Sequence, residues 1–156
     1  MDFLEAVNQG LAKATAADQA TRDVNDAFQK VNSSLEMYPL ATISIERGTV
    51  SNLFDSLSKF QESMNNNTPE YLSYNTIFLV AKHREGDGRE RKKIAAWKQH
   101  VNGFPCTISY EGEKQTCYSG EDLTASFGEL FSSVSFGKAL LELLANPAVG
   151  GEPGEI

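Results

Sequence analysis

Apolar positions recur every three or four residues through the first 36 residues of the chain. Leu4, Val7, Leu11 and Ala14 step by three, four and three, and Ala17, Thr21, Val24, Phe28, Val31 and Leu35 keep the rhythm. Such spacing lines one stripe of a helix, and an Ala-rich run without Pro favours helix further. The two series meet in a three-residue step, which in a coiled coil would be a stammer. The segment is predicted as one long helix, or as two with a break near Asp18. Its stripe fits packing on the rest of the chain or pairing with a second copy. Tyr38 and Pro39 end it.

The pattern then changes period. Ala41, Ile43 and Ile45 alternate with polar residues over 41–46, which predicts a half-buried strand, with Arg47 and Gly48 as its turn. Val50, Leu53, Phe54, Leu57, Phe60 and Met64 return to helical spacing and predict a middle helix over 50–64. Ile77 to Ala81 is a continuous apolar run, short for a helix and suited to a strand at 75–83 covered on both sides. A polar connection with two glycines, 84–91, leads to strands at 92–101, 104–110 and 115–118. From Ser119, a plausible N-cap, helical spacing resumes over 121–145, with a break expected at Ser132, Ser133 and Ser135. Pro147 and four later Gly and Pro residues predict a disordered tail over 147–156.

These elements predict an α+β fold in residues 1–146. An antiparallel sheet of four to five strands is packed by a long N-terminal helix, a middle helix and C-terminal helices.

Asn102-Gly103 is the strongest hairpin signal in the chain. If it is the turn, Gln99 opposes Cys106 and Trp97 opposes Ile108. Opposed residues share a face. One face then reads Ala95, Trp97, Gln99, Val101, Phe104, Cys106, Ile108 and Tyr110, a core with one amide in it. The other carries Lys92, Ile94, Ala96, Lys98 and His100, with Lys93 turned toward the core side. A two-residue turn at Glu111-Gly112 would set Cys106 opposite Cys117; a four-residue turn would not.

Charge changes this picture in one place. The chain holds 14 Lys and Arg against 21 Asp and Glu, for a net charge of −7. Yet half of the cations, Lys82, Arg84, Arg89, Arg91, Lys92, Lys93 and Lys98, lie within 17 residues, opposed there by Glu85, Asp87 and Glu90. A local reversal of sign marks a candidate anion-binding surface. Arg forks grip phosphate bidentately and Lys adds point charge. The candidate ligand-binding residues are Arg84, Arg89, Arg91, Lys92, Lys98 and His100, with Tyr74, Tyr118 or Trp97 available to stack a base.

Other chemistry is thinly represented. Two cysteines and two histidines show no metal-type spacing, so no metal and no cofactor is expected. There is no Gly-rich phosphate loop and no nucleophile elbow. No apolar run approaches a membrane span, and Met1 to Gly10 lacks the features of a signal peptide. The sequence therefore predicts a cytoplasmic, non-enzymatic protein–protein interaction module of the adaptor, chaperone or inhibitor type, working as a dimer. Its alternative is a domain that binds a phosphate-bearing ligand, nucleic acid or nucleotide, at the basic 82–100 segment. The protein partner has no signature in the sequence.

Overall fold

A computed structural model describes residues 2–51, 57, 60, 61 and 69–150. The middle helix expected over 50–64 falls almost wholly outside them. Within them a five-stranded antiparallel sheet is layered with helices, an α+β fold. Helix α1 runs unbroken from Phe3 to Leu35, the first of the two alternatives, with no break near Asp18. Asp2 starts it by accepting hydrogen bonds from the Leu4 and Glu5 amides. Strands β1 (Ile43–Gly48), β2 (Thr76–Lys82), β3 (Arg89–Gln99), β4 (Cys106–Tyr110) and β5 (Glu113–Cys117) pair in chain order. Helices α2 (Gly120–Phe131) and α3 (Val134–Ala145) follow.

The serines do divide the C-terminal helical segment. Ser119 caps α2 by accepting the Asp122 amide, and Asp122 accepts the Tyr118 amide in return. Ser133 caps α3 by accepting the Phe136 amide. Residues 148–150 stay packed, so no tail begins at Pro147, and the rest of the expected tail, 151–156, lies outside the described residues. Val149 is buried, the Arg84 amide donates to Ala148 O, and the Arg84 guanidinium donates to Gly150 O.

All three described helices lie on one face of the sheet. α1 packs on β1 and α2, α2 on β4 and β5, and α3 on β2 and β3. The core between the layers gathers Val24, Phe28 and Val31 of α1, Ile77 and Leu79 of β2, Trp97 of β3, Ile108 of β4, and Leu123, Phe127 and Leu130 of α2. The Phe28 ring meets Trp97 and Phe127 edge-on, at 5.3 and 4.9 Å between centroids. Such pairs add to the stabilisation from burial alone. Asn32 of α1 bonds both the amide and the carbonyl of Ile45. Backbone groups on the outer edge of β1 are thereby satisfied by a side chain, which leaves less edge for another strand to add to.

The β3–β4 register is as the face argument predicted, Trp97 opposite Ile108 and Gln99 opposite Cys106. The turn chemistry is different. Gly103 N donates to His100 O, His100 N donates to Pro105 O, and only Gly103 has positive φ. Residues 101–104 form a four-residue loop, so Val101 is exposed instead of joining the core. The two-residue primed turn occurs one hairpin later, where Glu111 (φ 51°) and Gly112 (φ 76°) both have positive φ. Cys106 and Cys117 consequently face each other, as free buried thiols.

Gly103 meets a second demand. A methyl group there would lie 2.6 Å from Ala20 Cβ and 2.7 Å from the Ala20 carbonyl carbon. The tip of the β3–β4 hairpin therefore touches the backbone of α1.

Candidate functional site

Two surfaces stand apart from this core. The first is the N-terminal half of α1. Residues 2–16 are all exposed, among them Phe3 (74%), Leu4 (77%), Val7 (66%) and Leu11 (67%). Burial begins only at Ala17 and is complete at Val24. At 100° per residue, the stripe Leu4, Val7, Leu11 and Ala14 is rotated roughly 120° from the Val24, Ala27, Phe28 and Val31 stripe. The three-residue step between the series produces that rotation. The outer stripe is thus no extension of the inner one, and it faces away from the molecule's own core.

The second surface is the sheet face away from α1, α2 and α3. Three differences from the sequence reading reshape it. β3 starts at Arg89, so Arg89, Glu90 and Arg91 are strand residues and the connecting loop is only 83–88. A bulge then interrupts β3. Ile77 pairs with Ala95 but Phe78 pairs with Lys93, leaving Ile94 as an extra residue. Side chains before the bulge therefore switch faces. Lys92, opposite Leu79, points to the helix side and pairs with Glu142 of α3 at 3.1 Å. Lys93, opposite Phe78, points away from the helices, and Ile94 is buried instead of lying on the polar face.

The sequence-predicted residues accordingly separate. Arg89, Arg91 and Lys98 share the second face, and Lys82 and Lys93 join them. Lys92 lies on the opposite side. Arg84 is drawn to the C-terminal segment by its bond to Gly150 O. His100 stands at one end of β3. It accepts the Asn102 amide at Nδ1, which puts the ring proton on Nε2, facing Glu70 at 3.7 Å. Trp97 is 3% exposed and Tyr74 lies beside Arg47, so neither meets this face; Tyr118 is exposed beyond the end of β5.

Lys114 of β5 was missed by sequence reasoning. It pairs with Ser109 and belongs to the same face. Alternation about Gln115 and Cys117 could have assigned its side, but only the sheet brings it near the β3 cations.

The second face thus carries Lys82, Arg89, Arg91, Lys93, Lys98 and Lys114, all exposed. Among the described residues none of the six is in an ion pair. Two are held by rings instead. The Arg91 guanidinium lies 4.2 Å from the Phe78 ring centroid, and Lys98 Nζ lies 4.0 Å from that of Tyr71. Glu46 is the one carboxylate that the described strands place on this face. Thr107, Ser109 and Thr116 add hydroxyls between Lys98 and Lys114.

The helix side has the opposite sign. A groove of about 730 Å³ between α1 and α2 is lined by Asp23, Asp26 and Glu121, with Lys30 as its cation. Among the described residues no cluster of three His, Cys, Asp or Glu could hold a metal ion. Burial pushes the Cys106 thiol up to about 12, the neighbouring Cys117 adding to it and Arg47 opposing. The thiol is therefore protonated near neutral pH and is no nucleophile there. No described helix is long and apolar enough to cross a membrane. Comparison with protein-family models, curated proteins and solved structures gives no match.

Proposed function

We propose that the protein is a non-enzymatic interaction module whose contact element is the free half of α1, and that its partner there is a second copy of the chain. One observation carries this reading: four large apolar residues, Phe3, Leu4, Val7 and Leu11, are at least 66% exposed on a stretch of helix, 3–16, whose every residue is exposed. An isolated helix of about 15 residues is marginal in water, and most helices gain their stability by packing an apolar face.

A like copy suits the stripe because its flanks carry no charge. In a heptad with Leu4 and Leu11 at a, and Val7 and Ala14 at d, the e and g positions are Phe3, Asn8, Gly10, Thr15 and Ala17. No like charges meet when two such helices pair. Burying a Leu or Val side chain is worth about 1.5–3 kcal/mol. Three stripe residues from each copy then contribute roughly 9–18 kcal/mol, against an association cost of about 4–15 kcal/mol. The margin favours a reversible dimer.

Sedimentation of the intact chain against the Leu4→Gln, Val7→Gln, Leu11→Gln variant tests this. The expected result is a concentration-dependent dimer that becomes a monomer in the variant, with the same urea midpoint for the folded body. Two identical monomers would remove self-association.

A further inference from the structure

We infer that the second sheet face binds the phosphodiester backbone of a single-stranded nucleic acid, with Arg91, Lys93 and Lys98 as the central contacts and Lys82, Arg89 and Lys114 around them. The inference is independent of self-association through α1, because the two surfaces share no residue.

The first support is a cost that folding alone does not require. Lys82 stands directly opposite Arg89 across β2 and β3. Like charges so placed destabilise a sheet pair. Six cations share this face with one strand carboxylate, in a chain whose net charge is −7. Carboxylates are abundant elsewhere, and among the described residues none is paired with these six. A polyanion would supply the missing counter-charge.

The second support is preorganisation. The Arg91 guanidinium sits over Phe78 and the Lys98 ammonium over Tyr71. Both heads are positioned without being neutralised, and a guanidinium in this state keeps its fork of donors for phosphate oxygens.

The shape and chemistry of the face select among anions. Its cations spread over β2, β3 and β5, about 14 Å across the strands and about 30 Å along β3. A flexible polymer can follow that spread, whereas a straight duplex touches a sheet surface along one line. A mononucleotide needs a concave site; the described groove between α1 and α2 is acidic and lies on the helix side. An acidic peptide gains affinity by joining a sheet edge, where its N–H and C=O groups find partners. Laid on a sheet face, those groups go unmet. A phosphodiester chain brings acceptors only, and this face offers ammonium, guanidinium and hydroxyl donors. The central rings, Phe78 and Tyr71, are already covered by Arg91 and Lys98, so backbone contact without sequence preference is the expected mode.

The test is fluorescence anisotropy of the full chain with a labelled 20-nucleotide single-stranded DNA or RNA. Parallel arms use the duplex of the same sequence, a mononucleotide and polyglutamate. Single strands should bind at low salt, and four to six neutralised phosphates set a log–log salt slope of about −3 to −4. Arg91→Glu, Lys93→Glu and Lys98→Glu together should weaken binding by more than about tenfold. Lys92→Glu, one residue away but on the other face, should leave it within about twofold. Lys82→Glu should weaken binding while raising the urea midpoint, since it turns a repulsive cross-strand pair into an attractive one. That variant keeps the test decisive if the triple variant folds poorly. No single-strand binding at the lowest salt, a Lys92→Glu loss equal to that of the triple variant, or tighter binding of any of the three parallel probes would overturn the inference.

Discussion

Arg47 joins the helix layer to the sheet with a charge that meets no carboxylate among the described residues. Its guanidinium donates to Gln99 Oε1 at 2.8 Å and to Asn25 Oδ1 at 2.9 Å, and its carbon lies 4.5 Å from the Phe28 ring centroid. Burial draws its pKa down, while Tyr74 and Cys106 oppose that change. Gln99 is 1% exposed, so removing its donor strands an amide oxygen in the core. Arg47→Leu is therefore expected to lower stability by about 1–3 kcal/mol in urea unfolding. Arg47→Lys should recover only part of this, because a compact ammonium cannot reach both oxygens. An unchanged midpoint for Arg47→Leu would show that the two amides find other partners. This contact was not legible in the sequence. Gln99 read as a lone amide in an apolar face and Arg47 as part of a turn. They are 52 positions apart, and only the order β1-β2-β3 lets one reach the other.

At the scale of elements, legibility follows whether the deciding interaction is local. The β3–β4 pairing could be read because strand alternation and a nearby turn signal agree on one register. The bulge at Ile94 could not. Lys92-Lys93-Ile94-Ala95-Ala96-Trp97 presents apolar residues in both phases, and the choice between them is made by β2, where Phe78 and Ile77 claim Lys93 and Ala95. That single residue transfers Lys92 and Lys93 between faces, which is why the basic segment was visible while its membership was not. The chemistry of Asn102-Gly103 was likewise overridden by a longer loop. In α1 the periodicity was legible throughout, but the exposure of its whole first half was not. Gly10 lies there with nothing within 4 Å of an added Cβ. Gly10→Ala should stabilise that half by about 1 kcal/mol. Slower hydrogen exchange at amides 4–14, with the urea midpoint of the body unmoved, is the expected outcome. A midpoint that rises by the full amount would show that the two halves of the helix unfold together.

For the molecule as a whole, charge divides by layer, with cations on the sheet face and acids on the helix side. Its stability should divide by pH as well. Burial is the largest cause of the raised pKa of Cys106, Cys117 and Tyr110. Each keeps its proton when folded at pH values where the unfolded chain gives it up. Their contribution is therefore complete below the ordinary thiol and phenol range and is lost as pH rises beyond it, for Cys106 as pH climbs toward about 12. Urea midpoints should be level near neutrality and fall above pH 9, with a shallower fall for Cys106→Ala. A midpoint that rises in that range would contradict the sign. The contact between Gly103 and Ala20 has a mechanical reading too. Beyond Ala20 the helix is a lever about 24 Å long to Leu4, and the hairpin tip is its fulcrum. A tilt of about 10° at that point would carry Leu4 through roughly 4 Å, about three quarters of the helical pitch. The aim of the apolar stripe thus depends on a glycine more than 80 residues further along the chain, and a single added methyl there would swing the stripe without touching it.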